Sequence, residues 1–392
     1  MTQRARSAAP KQAADGRWGF VVDLPPGPDG QRRQARRSGF RKKQEAQEAL
    51  DTLRSEVREG TYVAQANVTV QQFLVDEWLP AVKGSLEPST WASYDRALRL
   101  RVIPKLGGLK LRDVSPSHLN RLYAELLADG RNDGQEGGLS PRSVRYTHVI
   151  FGRAMRDAVK WQRLKVSPVT AAEPPRAKDA RPPEMKTWTS DEVRQFLAAE
   201  KATRYWIGWC LLATTGMRRG EALGVRWADI DLDAQPARLA IRQTLTVDQG
   251  ELRLVNRTKT GRARVIHLDA GTVAALRSAR KAQLEERILF GAGYADNDLV
   301  LARPDGRPYH PERFSQEFKR RVARHGLQRI RLHDLRHTWA TLALVQGQSP
   351  KVVAEQLGHS SITITLDTYS HVTPAMKSDA VELVAGLIFG GA

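Results

Sequence analysis

The chain has 392 residues and a formal net charge of +19 at pH 7. This length predicts two or three domains, and the charge favours a polyanionic partner, with nucleic acid as the first candidate. The single cysteine, Cys210, excludes a disulfide framework and a cysteine-rich zinc site. The sequence contains neither the apolar core of a signal peptide nor an apolar run long enough to span a membrane, so we expect a soluble, intracellular protein.

Residues 1–65 are predicted to form a small domain of strands and one helix, after about 15 disordered residues. Two strand-like runs, WGFVVDL and QRRQARRSGF, flank a turn rich in Pro and Gly, and a helix follows from Lys43 to Glu59. Seven basic residues with no acidic residue among them are a candidate DNA-contacting surface, although such a run is also typical of a solvated face: Arg32, Arg33, Arg36, Arg37, Arg41, Lys42 and Lys43.

Residues 66–165 are predicted to be helical. Apolar residues recur at helical spacing from Val68 to Val82, and the pairs Ser115-Pro116 and Ser140-Pro141 are typical helix starts. Such a bundle is not diagnostic of function. Residues 166–187, rich in Pro, Ala and charge, have the composition of a linker.

The last domain is predicted at 188–392, and it holds the first of two notable boxes, TGMRRGEALGVRWADID. Arg218 and Glu221 lie three residues apart in it and so share a helix face. Three strand-like segments follow, ARLAIRQTLT, ELRLVN and ARVIHL. Lys259 is expected at the tip of the hairpin between the second and third segments.

The second box runs from His333 to Tyr369. His333 and Arg336 are one helical turn apart at the start of a helix whose apolar stripe includes Leu335, Trp339 and Leu342. Ser349 and Pro350 start a second helix with a buried side of Val352, Val353 and Leu357, and Gly358 suits its left-handed end. His359 follows that glycine, and a serine, Ser360 or Ser361, caps a short helix that carries Tyr369.

The two boxes resemble those of the tyrosine recombinase (phage integrase) family, through H-x-L-R-H, L-G-H and a tyrosine ten residues after that histidine. The resemblance implies a multidomain, mainly α-helical α+β protein with small sheets. It would have an arm-type DNA-binding domain (three-stranded sheet plus helix), a helical core-binding domain and a catalytic domain. It also implies a catalytic set of Arg218, Lys259, His333, Arg336, His359 and Tyr369, with Glu221 in support.

The resemblance further implies a recombinase that cuts and rejoins DNA at attachment sites through a 3′-phosphotyrosyl intermediate and a Holliday junction. Its partners would be double-stranded DNA, three further copies of the chain on that DNA, and an excisionase or DNA-bending host factor. The place of action would be the cytoplasm or nucleoid of a bacterial host. No cofactor is expected.

The chemistry of these residue types suits phosphoryl transfer. Two arginines can bind both non-bridging oxygens of a phosphodiester by bidentate hydrogen bonds. We therefore expect Tyr369 to be the nucleophile and His333 its acid or base, while His359 binds a phosphate oxygen. Lys259 is placed to protonate the leaving 5′ oxygen, and Glu221 to orient the arginines. No metal is needed, because the cations of the protein neutralise the phosphate.

Four alternative functions use the same sequence features. A metal-dependent nuclease would use Asp229, Asp231 and Asp233 together with His333 and His337, which are four apart on a helix, and a zinc site would use His333, His337 and His359. A type IB topoisomerase shares the catalytic chemistry, and a DNA-binding protein without catalysis would share only the charge. The intact catalytic set favours a recombinase over the last of these, and the basic N-terminal module favours it over a topoisomerase.

The final run, AVELVAGLIFGGA, is apolar in a polar region. We expect it to dock either on a neighbouring copy of the chain or on its own domain.

Overall fold

The computed structural model describes residues 9–26, 31–59, 62, 68–181, 185–248, 250–256, 264–359 and 361–369. The chain divides into two compact units, Met1–Pro182 and Pro183–Ala392. No helix within the described ranges combines the length and apolar character needed to cross a membrane. The C-terminal apolar run, predicted to dock in cis or in trans, lies outside the described residues.

A small antiparallel sheet opens the first unit, with α1 (Lys43–Arg58) packed on one face. Its strands, in spatial order, are β1 (Lys11–Gln12), β2 (Trp18–Leu24) and β3 (Arg33–Phe40). The predicted sheet and helix are confirmed, and α1 buries the predicted apolar side. The expectation of about 15 disordered residues was wrong for Lys11 and Gln12, which pair with β2.

Helices make up the rest of the first unit, and two of them begin at residues that the sequence marks as caps. Ser115 and Ser140 accept hydrogen bonds from the first-turn N–H groups of their helices. The helical segments are α2 (Val70–Gln72), a π-helical stretch Phe73–Trp78, α3 (Leu79–Lys83), α4 (Pro88–Ala97), a π-helical stretch Leu98–Val102, α5 (Ile103–Leu106), a 3₁₀ turn Leu111–Asp113, α6 (Pro116–Asp129), α7 (Pro141–Lys160) and a 3₁₀ turn Pro168–Ala171.

Part of the predicted linker packs against this helical core. Val169, in the 3₁₀ turn, is buried among the core residues and lies against Gly152 of α7. The start of the 166–187 stretch is therefore ordered, because an apolar valine among the prolines can be buried there.

The second unit consists of helices around two small sheets. Its helices are α8 (Ser190–Glu200), α9 (Trp206–Thr215), α10 (Arg219–Gly224), α11 (Ala270–Phe290), α12 (Pro311–Arg324), α13 (Asp334–Val345), α14 (Pro350–Leu357) and α15 (Ile362–Thr368), with 3₁₀ turns at Trp227–Asp229 and Gly291–Gly293. Its strands are β4 (Ile230–Asp231), β5 (Arg238–Ile241), β6 (Gln243–Asp248), β7 (Glu251–Asn256) and β8 (Arg264–His267). The predicted mainly helical α+β class is confirmed.

The strands pair differently from the simple succession of hairpins in the prediction. The first predicted segment is divided into β5 and β6, which belong to separate sheets. β6 pairs with β7, while β5 pairs with β8, so Arg264 lies opposite Ile241. The predicted hairpin tip with Lys259 lies outside the described residues.

Aromatic rings fill the centre of the second unit. Trp209 of α9 lies 4.4 Å from Phe314 and 5.4 Å from Phe318 of α12, measured between ring centroids. Cys210, next to Trp209 in an apolar stretch of α9, is buried, and burial raises the pKa of its thiol to about 12. A smaller cluster under α14 includes Val353, Leu357 and Tyr369. Val352 is half exposed and not buried as predicted, since it lies beside the stripe formed by Val353 and Leu357.

A buried carboxylate joins α8 to α12. Glu200 is 1% exposed and accepts hydrogen bonds from Arg321, Thr203 and the His325 ring. Burial alone would raise the pKa of Glu200, but these donors and the charge of Arg321 lower it overall.

Candidate active site

The end of α9 and the start of α10 form the first side of the site. Gly216 ends α9 in the left-handed conformation, with φ of 65°, where a side chain would also collide with Leu357 and Trp339. The chain then turns into α10, and Arg218 occupies the position just before that helix. This turn presents the Gly216 carbonyl and the Arg218 side chain together.

The second side is the end of α14. As predicted, Ser349 caps this helix with Pro350 at its first position, and Gly358 ends it with φ of 67°. The carbonyls of Leu357 and Gly358 are thus left without helical partners and carry the partial negative charge of a helix C-terminus.

Three arginines converge on these carbonyls. Arg336 of α13 donates to Gly216 O at 2.8 Å and to Leu357 O at 2.7 Å. Arg264 of β8 donates to the same Leu357 O at 2.7 Å, and Arg218 donates to Gly358 O at 3.2 Å. The arginine of each predicted box is therefore in this cluster, together with Arg264, which the sequence did not single out.

Arg336 is buried yet remains cationic at neutral pH. Burial, and then the nearby charge of Arg218, lower the pKa of Arg336 to about 10. The carbonyls that hold it are neutral, so its positive charge is not cancelled by them.

Glu221 is the carboxylate of the cluster. It is 2% exposed and accepts bonds at 2.8 Å from the Arg218 backbone N–H, from Arg218 Nη1 and from Arg264 Nη2. Burial would raise the pKa of Glu221, but the charges of Arg264 and Arg218 lower it overall. Arg218 and Glu221 thus share a helix face, as their spacing predicts, and Glu221 also binds Arg264 of β8.

His359 follows Gly358 and lies beside the arginines. Burial, and then the charges of Arg336, Arg218 and Arg264, lower the pKa of His359 to about 4, so the ring is neutral at pH 7. Its Nδ1 is 2.8 Å from the hydroxyl of Thr365 on α15. When that hydroxyl donates to Nδ1, the proton of the ring is on Nε2, which then can donate to a ligand.

His333 is the residue just before α13, and it lies between the two members of an ion pair. Asp334 accepts from the Arg331 backbone N–H at 2.7 Å and from the Arg331 side chain at 2.7 Å. Partial desolvation, followed by the charge of Arg336, lowers the pKa of His333. A cleft of about 690 Å³ has both His333 and Arg218 in its wall.

Tyr369 directly follows α15 and is buried. Its hydroxyl is 2.8 Å from Nδ1 of His337, a residue that the sequence suggested only as a possible metal ligand. Burial raises the pKa of Tyr369 to about 12, against the opposing charge of Arg336. Burial, and then His333, lower the pKa of His337 to about 4.

The structure separates the remaining candidate residues from this cluster. Asp229, Asp231 and Asp233, considered as nuclease ligands, pair with Arg242, Arg238 and Arg277. No group of three or more potential metal-ligating side chains occurs within the described part of the chain.

The seven basic residues of the N-terminal domain lie in the first unit, from the residue just before β3 to the first residue of α1. Most are exposed, and Arg37 is half-buried. Arg32 has an acidic partner that the sequence pattern did not reveal, Asp23, at 2.9 Å. Arg36 lies on the sheet face opposite α1, since its neighbour Ala35 is buried on the near face.

Family models match all three predicted regions of the chain. They are described as an arm DNA-binding domain at residues 11–57, the phage integrase N-terminal SAM-like domain at 69–127 and the phage integrase family at 186–376. Among curated proteins, a "Tyrosine recombinase XerC-like" of Caldanaerobacter subterraneus subsp. tengcongensis is 26% identical over 88% of this chain and 90% of its own length.

Solved structures show the same fold. The Tn1549 transposon integrase in complex with transposon right end DNA is 18% identical, with a TM-score of 0.66 over 81% of this chain and all of its own. A lambda integrase tetramer bound to a Holliday junction is 16% identical, with a TM-score of 0.56 over 91% of this chain and 96% of its own. On the family matches, the chain belongs to the phage integrase family of tyrosine recombinases and is a site-specific DNA recombinase.

Proposed function

We propose that this chain cleaves and rejoins DNA with Tyr369 as the nucleophile, forming a 3′-phosphotyrosyl bond and a free 5′ hydroxyl. The observation that carries the proposal is the convergence of Arg218, Arg264 and Arg336 on the end of α14, directly before His359 and one short helix before Tyr369. The product keeps the energy of the broken bond in the new phosphoester, so rejoining needs no nucleotide.

The arginine cluster supplies the electrostatic part of the reaction. A phosphodiester gains negative charge on its non-bridging oxygens as the nucleophile adds, and fixed cations stabilise that state more than the ground state. A guanidinium carries five N–H donors, and the two backbone carbonyls occupy two of those on Arg336. Arg218 and Arg336 would donate to the phosphate, and Glu221 would orient Arg218.

The histidines and Lys259 have separate proposed roles. Neutral His359 would donate from Nε2 to a phosphate oxygen, and His333 would act as an acid or base at the edge of the cleft. Lys259 would protonate the leaving 5′ oxygen; this role rests on the family motif, since the residue lies outside the described ranges.

The proposed biological reaction is integration or excision of a phage or mobile element at attachment sites in the bacterial cytoplasm or nucleoid. Four protomers would act on two DNA duplexes through a Holliday junction, as the lambda integrase complex suggests. The N-terminal sheet would bind accessory DNA through its basic residues, and an excisionase or DNA-bending host factor would set the direction.

A covalent trapping experiment tests the proposal. Wild-type protein and Tyr369→Phe are incubated, with and without excess EDTA, with nicked duplexes taken from DNA flanking the gene, and the products are separated on a denaturing gel. We expect a slow protein–DNA band in wild type only. A band of equal intensity from Tyr369→Phe would refute the assignment of the nucleophile, and DNA cleavage that gives no covalent band and stops in EDTA would support a metal-dependent nuclease instead.

A further inference from the structure

The hydroxyl of Tyr369 already has a hydrogen-bond partner in the absence of DNA. His337 Nδ1 is 2.8 Å away, and the His337 ring lies edge-on to the His333 ring, with their centroids 5.0 Å apart. His337 and Tyr369 come from different helices, α13 and α15, so this contact requires the tertiary fold.

The direction of this hydrogen bond follows from the two groups. Tyr369 keeps its proton at neutral pH because the pKa of its phenol is about 12. His337 is neutral because its pKa is about 4. Nδ1 therefore accepts from the phenol, and the ring carries its own proton on Nε2.

Accepting the proposed role of Tyr369 as nucleophile, we propose that His337, rather than His333, is the base that takes the Tyr369 proton during cleavage and returns it during rejoining. In cleavage, the Oη–H bond of Tyr369 breaks and an Nδ1–H bond forms on His337. Oη bonds to phosphorus, and the bond from phosphorus to the 5′ oxygen breaks. The 5′ oxygen receives its proton from a separate acid, and rejoining reverses each step.

DNA binding creates the conditions for this transfer. In the free chain, the order of the two pKa values keeps the proton on Tyr369. The charged and titratable groups that influence His337 are Arg331, His333, Asp334 and Arg336, and most of them disfavour its cationic form. A bound phosphodiester adds a negative charge beside them, which raises the pKa of His337, and bond formation to phosphorus makes the phenol more acidic. Proton transfer is then coupled to attack and does not occur without substrate.

A purely positioning role for His337 makes a different prediction. The amide oxygen of asparagine can accept the Tyr369 hydrogen bond near the place of Nδ1 but takes no proton. If His337 only holds Tyr369 in place, His337→Asn keeps most activity while His337→Ala loses it. If His337 is the base, both variants lose about 10²–10⁴-fold in cleavage rate.

The test measures single-turnover formation of the covalent complex by the full chain on nicked duplexes. Each duplex is made with a normal phosphate and with a 5′-bridging phosphorothiolate, whose sulfur leaves without needing an acid. We expect His337→Asn and His337→Ala to be slow on both substrates, and added imidazole to accelerate His337→Ala. Lys259→Ala is the control for loss of the leaving-group acid, and it should recover on the phosphorothiolate.

Two results would overturn the inference. The first is a cleavage rate of His337→Asn equal to that of wild type. The second is recovery of the His337 variants on the phosphorothiolate, which would mean that His337 donates a proton to the leaving 5′ oxygen. Thermal unfolding and DNA binding of His337→Asn should match wild type, which separates lost chemistry from lost structure. A covalent complex from Tyr369→Phe would instead overturn the proposed function itself, so the two failures are distinguishable.

Discussion

Replacing Arg264 with alanine should destabilise the second unit much more than an ordinary surface change does. Arg264 is 17% exposed in its side chain and bonds both the buried Glu221 and the last carbonyl of α14. Removing one partner of a buried ion pair costs about 3–5 kcal/mol, and we expect about 3 kcal/mol because Arg218 still pairs with Glu221. For a unit of this size, that loss lowers Tm by about 6–12 °C.

Arg238→Ala is the matched control, because it removes an arginine from the neighbouring strand of the same sheet. Its ion pair with Asp231 joins two exposed side chains, and such pairs contribute at most about 1 kcal/mol. Calorimetry of the full chain, with the transition of the second unit followed, should show a shift of less than about 4 °C for this variant. Equal shifts for the two variants would refute the view that Arg264 anchors the site.

Covalent-complex formation should separate the two variants further. Without Arg264, the end of α14 loses a donor, and His359 directly follows that end. We expect slower cleavage by Arg264→Ala even at temperatures where it is fully folded, and unchanged cleavage by Arg238→Ala. Wild-type cleavage by folded Arg264→Ala would limit Arg264 to stability alone.

Three further outcomes follow from single sites. Gly358→Ala should lower Tm and cleavage more than Gly347→Ala in the same assays, because both glycines have positive φ but only at Gly358 would a side chain collide with Arg264. Because the pKa of Glu200 is lower in the folded than in the unfolded chain, ionised Glu200 stabilises the fold at pH values above its unfolded pKa of about 4.3, and this stability is lost as the pH falls through the folded pKa. Glu200→Gln should therefore flatten the dependence of Tm on pH between about 5 and 3. An unchanged slope would contradict this. If Arg36 contacts a phosphate, Arg36→Ala should reduce the slope of log affinity against log salt by about 0.9 in arm-site binding titrations, whereas Arg32→Ala, whose charge Asp23 offsets, should change it less.

The sequence predicted those features that depend on local chemistry. Ser115 and Ser349 cap helices because a serine hydroxyl can reach the N–H groups of the following turn, and Gly358 ends α14 because glycine has no left-handed penalty. The arginines of the two boxes also lie together, as the family resemblance implied.

Features that depend on long-range pairing could not be predicted in the same way. Arg264 belongs to the site only because β8 pairs with β5, which brings its side chain within hydrogen-bonding distance of the Leu357 carbonyl at the end of α14. His337 follows Arg336 directly, yet its contact with Tyr369 depends on how α15 packs on α13. Val352 was misplaced for a related reason, since the adjacent residues Val352 and Val353 point in different directions from the helix, and only the packing decides which one is buried.

The way the arginines are held explains how the site can stay positive inside a folded protein. Buried cations are costly unless they are hydrogen bonded, and carboxylate partners would cancel the charge that a phosphate needs. Here Arg336 is held by backbone carbonyls at the ends of α9 and α14, which satisfy its donors and attract it through their helix dipoles without adding a full negative charge. Glu221 is left to fix Arg218 and Arg264. Its single charge offsets only part of that of the three arginines, so the cluster is fixed in place without DNA, and under the proposed function its excess charge would stabilise the transition state.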